Sequence, residues 1–332
     1  MKTDFLRNRK ARSRERGFTL IELMVASTLA LFMLIGVSQL YLSSISSEKT
    51  TASASEITTN GRYAIDVLRR DLLHAGFRGL SWAQPTWPLT TAVGAVAGEC
   101  IGTGFAINLR QGIWGSNDAN PFAATCIPAA NYSVGDVLVV RHAALSATTG
   151  ALSGTTLYFR SAYERGEVFQ GNQSAALATT FTQTPSFNYA LESKVYYVSP
   201  FTDSPATTGV ATESPPVPAL YRVVLGAGPR MTAELVASNI ENMQIRYGRL
   251  STDMNTRYYS ANSIDPGTTS TTATKTNWDE VNSVRIWVLV RSSKPEPGYI
   301  NTSTYTLGDK TVTVNDGYRR ELYSTVVQLR NI

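Results

Sequence analysis

Few side chains in this sequence combine the type and the spacing that chemistry requires. There are two histidines, His74 and His142, far apart along the chain. A serine nucleophile needs a base and a sharp turn to present it, and no G-x-S-x-G elbow occurs. No phosphate-cradling loop, dinucleotide fingerprint or zinc-ligand spacing is found. Asp253-Met254-Asn255-Thr256-Arg257 begins like a calcium-binding loop. It lacks the required Gly, where Tyr258 stands, and the acidic twelfth residue, where Ile264 stands. Only a looser calcium site, built on Asp253 or Asp265, stays open. Asn131, Asn172 and Asn301 begin N-x-S sequons, which arise by chance in serine-rich sequence. His74 falls on a predicted helix and His142 at a predicted strand end, so both read as structural. No catalytic residue, metal ligand or cofactor is expected. Two groups remain: the cysteine pair Cys100 and Cys126, and one carboxylate, Glu22, set inside an apolar run.

Glu22 is the only charged residue between Phe18 and Leu42, a stretch of 25 residues without Pro. As a helix it spans roughly 37 Å, enough to cross a bilayer core. Just before it, residues 1–17 carry seven basic and two acidic side chains, a net of +5. The rest of the chain holds 30 − 7 = 23 basic and 25 − 2 = 23 acidic residues, a net of zero. The basicity is therefore a membrane flank that stays in the cytoplasm, and the C-terminal body lies outside it. No basic patch interleaved with aromatics marks the body, which argues against direct nucleic-acid binding.

Three fates are open to the apolar segment. A signal peptide would be cut after its core, but Ala52-Ser53-Ala54 lies about a dozen residues too far on. A plain signal anchor would leave Glu22 merely tolerated near the lipid edge. A cut between Gly17 and Phe18 would keep the helix and explain both residues. Glycine leaves room for a protease beside the helix start. The new amino terminus at Phe18 is positive, and a carboxylate in lipid is tolerable when paired with such a group on a neighbouring helix.

Gly17-Phe18-Thr19-Leu20-Ile21-Glu22-Leu23-Met24-Val25-Ala26 resembles the prepilin signature of type IV pilins and type II secretion pseudopilins. The resemblance implies leader cleavage after Gly17 by a prepilin peptidase and N-methylation of Phe18. It also implies a role for Glu22 in recruitment into a growing filament. The segment Gly61-Arg62-Tyr63…Arg70-Asp71…Ala75-Gly76-Phe77…Gly79 is similar to the corresponding part of PilW-type minor pilins. Ile240–Gly248, the strand from Val281 and Tyr318–Asn331 resemble PilW-type and J-type C-termini more loosely.

The elements that would carry these residues are legible in outline. The Ser/Thr-rich stretch 43–60 suits a linker or a continuing helix. Ala64, Val67, Leu68, Leu72 and Ala75 recur at helical spacing, and Gly76 and Gly79 are stop signals. One helix over about 18–76 is predicted, loosened in its Ser/Thr part, with its second half packed on the body. Residues 80–134 read as loops and short strands, including Trp82, Trp87 and Trp114. An exported domain with two cysteines favours a Cys100–Cys126 disulfide, the alternative being two buried thiols. Strands are expected at 135–143, 154–162, 193–200, 219–226 and 281–293, with Val284, Ile286, Val288 and Val290 on one face. Residues 231–250 read as a turn and a strand, and Asn315-Asp316-Gly317 as a hairpin turn. The stretches 199–219 and 260–277 read as exposed loops.

The fold class expected is α+β and pilin-like, a long helix on a β-rich domain. The divisions are 1–17 leader, 18–42 transmembrane helix, 43–79 packing helix and 80–332 periplasmic domain. The resemblance implies a minor pilin of the tip or priming complex, in the inner membrane before assembly and the pilus after it. Its partners would be other minor pilins, the major pilin, the peptidase, the inner-membrane assembly platform and a tip adhesin. The rivals are a J-type pseudopilin of a secretion system and a membrane-anchored periplasmic enzyme.

Overall fold

A computed structural model describes residues 17–82, 93–102, 104–203, 213–251, 254–264 and 277–332. The leader, Trp87, Asp253, Asp265 and the middles of the 199–219 and 260–277 stretches lie outside the described residues. The chain divides into two compact units, Met1–Ala52 and Ser53–Ile332.

Helix α1 runs unbroken over Leu20–His74. The Ser/Thr stretch is not loosened. Thr50, Thr51 and Thr58 turn their hydroxyls back to the carbonyls of Ser46, Ser47 and Ala54, four residues earlier. Small polar side chains thus satisfy themselves on the helix surface instead of breaking it. The helix stops at Gly76, whose φ of +75° is the left-handed conformation that glycine adopts freely at a helix end.

The strands are β1 (Ile113–Ser116), β2 (Val137–Ala143), β3 (Leu157–Ser161), β4 (Gly166–Gln170), β5 (Phe187–Ser199), β6 (Ala219–Gly226) and β7 (Arg230–Ser238). There follow β8 (Ile240–Leu250), β9 (Thr256–Tyr259), β10 (Val281–Arg291), β11 (Thr304–Leu307), β12 (Lys310–Thr313) and β13 (Arg320–Gln328). β1–β7 make one antiparallel sheet around the long β5, which pairs with β2 along one edge and with β3 and then β6 along the other. β7 lies outside β6. A second sheet runs β13-β10-β8-β9. The chain passes between the sheets at a single residue, Asn239, with φ +71°. Residues 231–250 are therefore two strands, not a turn and one strand. The hairpin β11–β12 turns at Gly308-Asp309, not at Asn315-Asp316-Gly317. Asp316 instead bridges Asn301, and its carboxylate takes the Arg320 guanidinium and the Tyr318 N–H.

The core of the second unit gathers both sheets and one stripe of α1: Ile57, Ala64, Leu68, Leu72 and the following Ala75. Val284, Ile286, Val288 and Val290 are all fully buried, as the alternation of β10 requires. Gly61 is where the helix meets β13. A Cβ there would strike the ring of Tyr323, so the missing side chain sets how closely helix and strand approach. Asn60 Nδ2 donates to Ser238 Oγ at 3.1 Å, and Asn331 Nδ2 to the Leu73 carbonyl at 3.2 Å.

Candidate functional site

At the helix start, Thr19 stands immediately before the first helical residue and Glu22 is the third. The Thr19 N–H and hydroxyl both donate to Glu22 Oε2 at 3.0 Å, and the Glu22 N–H donates back to Thr19 Oγ1 at 3.3 Å. This is a reciprocal capping box, which satisfies backbone N–H groups that a helix start leaves without partners. The carboxylate thus has a job within its own chain. The T-x-x-E spacing is the sequence signal for this cap, and Thr19 is a functional residue beyond those expected from the sequence. Gly17 and Phe18 precede the cap, and Phe18 is 89% exposed.

Past the cap, every large apolar side chain of the first half of α1 is exposed, from Leu20 to Leu42. By length and composition the helix is able to cross a membrane. Ser27 and Thr28 return their hydroxyls to the Met24 and Val25 carbonyls at 2.9 Å, so the polar atoms inside the run are satisfied by the helix itself. In water such a surface is costly, at about 25 cal/mol per Å² of apolar area. It calls for lipid or for like helices.

A polar clasp ties the second half of α1 to the first sheet. Asp71 sits on the buried stripe, 6% exposed. Lys194 Nζ approaches Asp71 Oδ1 at 2.9 Å and Glu192 Oε2 at 2.8 Å. The Tyr196 hydroxyl donates to Asp71 Oδ2. Burial, reinforced by the Asp71 charge, keeps the Tyr196 phenol protonated far above its usual range. An acid on an apolar helical stripe was the sequence signal for this clasp.

The structure brings the two histidines together, ring centroids 5.9 Å apart, beside this clasp. His142 Nδ1 lies 3.0 Å from the Ala143 carbonyl, while Nε2 is 3.6 Å from Glu192, too long for a hydrogen bond. Burial lowers the affinity of His142 for a proton, against the opposing pull of that carbonyl and Glu192. Among the described residues no cluster of three His, Cys, Asp or Glu side chains is arranged to hold a metal ion.

Cys100 and Cys126 form a disulfide, with Cα atoms 4.6 Å apart. Glu99 just before it accepts the Gly104 N–H at 3.1 Å and the Ala106 N–H at 2.9 Å. The loop so folded lays the Phe105 ring 4.3 Å from the buried Arg141 guanidinium. Arg141 also donates to the Gln111 carbonyl at 3.0 Å. Burial pushes the Arg141 guanidinium down to about 9, opposed by the Glu99 charge. Of the three sequons, Asn131 and Asn301 are buried and only Asn172 is exposed.

Residues 195–331 match the family described as Type IV Pilus-assembly protein W, and residues 12–38 match the Prokaryotic N-terminal methylation motif. The first match spans β13 and everything between it and the second half of β5; the second spans the cap, Glu22 and the start of the exposed run. No curated protein matches the chain. Among solved structures, the Type IV-like pilin TTHA1219 from Thermus thermophilus is similar. It shares 13% identity over 84% of this chain and 96% of that one, with a TM-score of 0.35, a loose likeness.

Proposed function

We propose that this chain, a type IV pilin-class protein of the PilW type, is a minor pilin of the tip or priming complex that starts pilus assembly. The observation that carries this reading is the cap-and-run arrangement at the N-terminus. An apolar helix with all its large side chains exposed begins at a capped carboxylate, directly behind Gly17 and Phe18. The same helix continues into a stripe buried in a β-rich domain.

In this reading the basic leader holds the N-terminus in the cytoplasm, and the domain lies in the periplasm. Prepilin peptidase removes residues 1–17, and Phe18 becomes a methylated amino terminus. The exposed run then trades lipid for the helices of other minor pilins and the major pilin, on the inner-membrane assembly platform. Glu22, capping its own helix through Thr19, is placed to accept the terminal amine of a neighbouring copy. The pairing neutralises two charges that would each be costly in hydrocarbon and fixes helix register. A domain of this bulk is tolerable at a tip and hard to repeat along a shaft, so the chain serves there as a structural subunit, next to a tip adhesin.

The test is intact-mass and N-terminal peptide mass spectrometry on the protein from membranes of its native host. A mature chain beginning at methylated Phe18 supports the reading. A chain beginning at Met1 or Ser55 refutes it.

A further inference from the structure

One cavity has no part in the reading above. It lies on the first sheet, on the face opposite the clasp, because Tyr197 follows Tyr196 and successive side chains of a strand point to opposite faces. Tyr197, Tyr221 and Leu235 stand directly across from one another on β5, β6 and β7. Together with Phe201 and Ala233 they line a cavity of about 260 Å³. Tyr197 is 1% exposed and Leu235 48% exposed, so the row is closed at β5 and open at β7.

β7 is the outer strand, paired with β6 alone. At its start the chain itself begins to cover the free edge. The Ala97 N–H donates to the Pro229 carbonyl, and the Met231 N–H to the Ala97 carbonyl, both at 2.8 Å. This is a parallel bridge of one residue at Arg230. Beyond Met231 no described residue continues it. Since the Met231 N–H points outward, alternation points those of Ala233 and Leu235 outward too. Residues 232–235 are exposed, β7 carries neither Pro nor Lys, and its one mid-strand charge, Glu234, is engaged by Arg222 of β6 at 2.5 Å.

We propose that β7 takes a further strand: an extended segment of a partner protein pairs with the edge at Thr232–Leu235 and sets one aromatic ring into the Tyr197–Tyr221–Leu235 cavity. A row of outward N–H and C=O groups is matched along its length only by another extended chain. The cavity falls below the roughly 300–1,000 Å³ of small-molecule sites, which favours a single side chain as its occupant. Its tyrosine walls suit a ring in tilted or edge contact. A second copy of this chain is a poor occupant. The strand Arg-Met-Thr-Ala-Glu-Leu-Val-Ala-Ser has no ring to offer, so pairing β7 with β7 would leave the cavity empty. The proposal does not depend on the pilus reading.

The experiment uses the full chain in detergent micelles and a fluorescein-labelled nonapeptide of alternating Thr and Val with one central Phe. Fluorescence anisotropy is expected to show saturable binding. Ala233→Pro removes an outward donor while leaving the β6 ladder intact, and should weaken binding at least tenfold. Ala233→Trp fills the cavity, and a peptide with Ala for Phe leaves it empty; each should lose at least tenfold. If Ala233→Pro fails to fold, these last two comparisons still decide. Absence of saturable binding, or equal binding by the variants and the Ala peptide, overturns the proposal. So does a concentration-dependent dimer that Ala233→Pro abolishes, which would make a second copy the occupant.

Discussion

Replacing Asp71 by Ala tests whether the clasp holds α1 on the sheet. Removing one partner of a buried ion pair costs about 3–5 kcal/mol when the other is stranded. Here neither partner is fully stranded. Lys194 keeps Glu192 at 2.8 Å, and Tyr196 keeps a hydrogen bond with Arg222. What is lost is a charge-assisted hydrogen bond and the donor role of a buried hydroxyl, about 2–3 kcal/mol. The better helix propensity of Ala returns a few tenths of a kcal/mol. A domain of this size loses about 2–4 °C of Tm per kcal/mol, so Asp71→Ala should lower Tm by about 5–10 °C. The assay is thermal unfolding of the full chain in detergent, followed by tryptophan fluorescence, since Trp114 and Trp278 are buried in the same core. The clasp also predicts non-additivity. The double variant Asp71→Ala/Tyr196→Phe should lose about 1 kcal/mol less than the sum of the single losses. A Tm within 2 °C of wild type, or strictly additive losses, would refute the reasoning.

Glu22→Gln keeps the capping box, which accepts Glu or Gln at this place, but removes the charge. Glu22→Ala removes both. If pairing with a neighbour's amine matters, both variants should be cleaved normally and both should be depleted from sheared pili by immunoblot. Normal incorporation of Gln alone would assign Glu22 to capping. Replacing Cys100 and Cys126 by Ala should cost about 3 kcal/mol by the chain-entropy estimate for a 26-residue separation. Hydrogen exchange should rise within 100–126, and an unchanged Tm would count against that estimate. Burial pushes the Asp136 carboxyl from 3.8 up to about 7, with Asp118 and Asp309 adding to it against two backbone N–H donors. The folded state then holds its proton where the unfolded chain has released it, so this group's contribution to stability falls as pH rises from about 4 to about 7. Asp136→Asn cannot ionise, so the Tm of wild type should fall relative to that of the variant as pH rises from about 4.5 to about 7.5. A relative Tm that stays flat or rises with pH contradicts the assignment.

Features set by local pattern were legible in the sequence, and features set by distant partners were not. The β10 alternation and the helical stripe at Ala64, Leu68 and Leu72 depend only on periodicity, and both appear as read. The Gly308-Asp309 turn lay in plain sight between two Thr-rich runs. Asn-Asp-Gly is the stronger hairpin signal, but Arg320 and Asn301 engage Asp316 instead. A single left-handed residue, Asn239, between strands of nine and eleven residues leaves little trace in composition and resembles part of a turn. Lys194 and Tyr196 lie more than 120 residues from Asp71, and nothing in their neighbourhood announces a helix partner. The approach of His74 to His142 was hidden for the same reason. At the helix start the situation is reversed. Gly17, Phe18, Thr19 and Glu22 are consecutive or one turn apart, so local spacing alone exposes the site.

The docking of the first helix on the last strand bears on the order of folding. Gly61 waits for Tyr323, and the Leu73 carbonyl for Asn331, which is 258 residues away. Contacts of such separation form late, because loop closure must be met before they return any stabilisation. The buried stripe of α1 thus stays uncovered along one flank until β13 and Asn331 are in place. A chain truncated before β13 would carry that sticky flank permanently. The arrival of β13 is in this way checked by a helix made roughly 250 residues earlier.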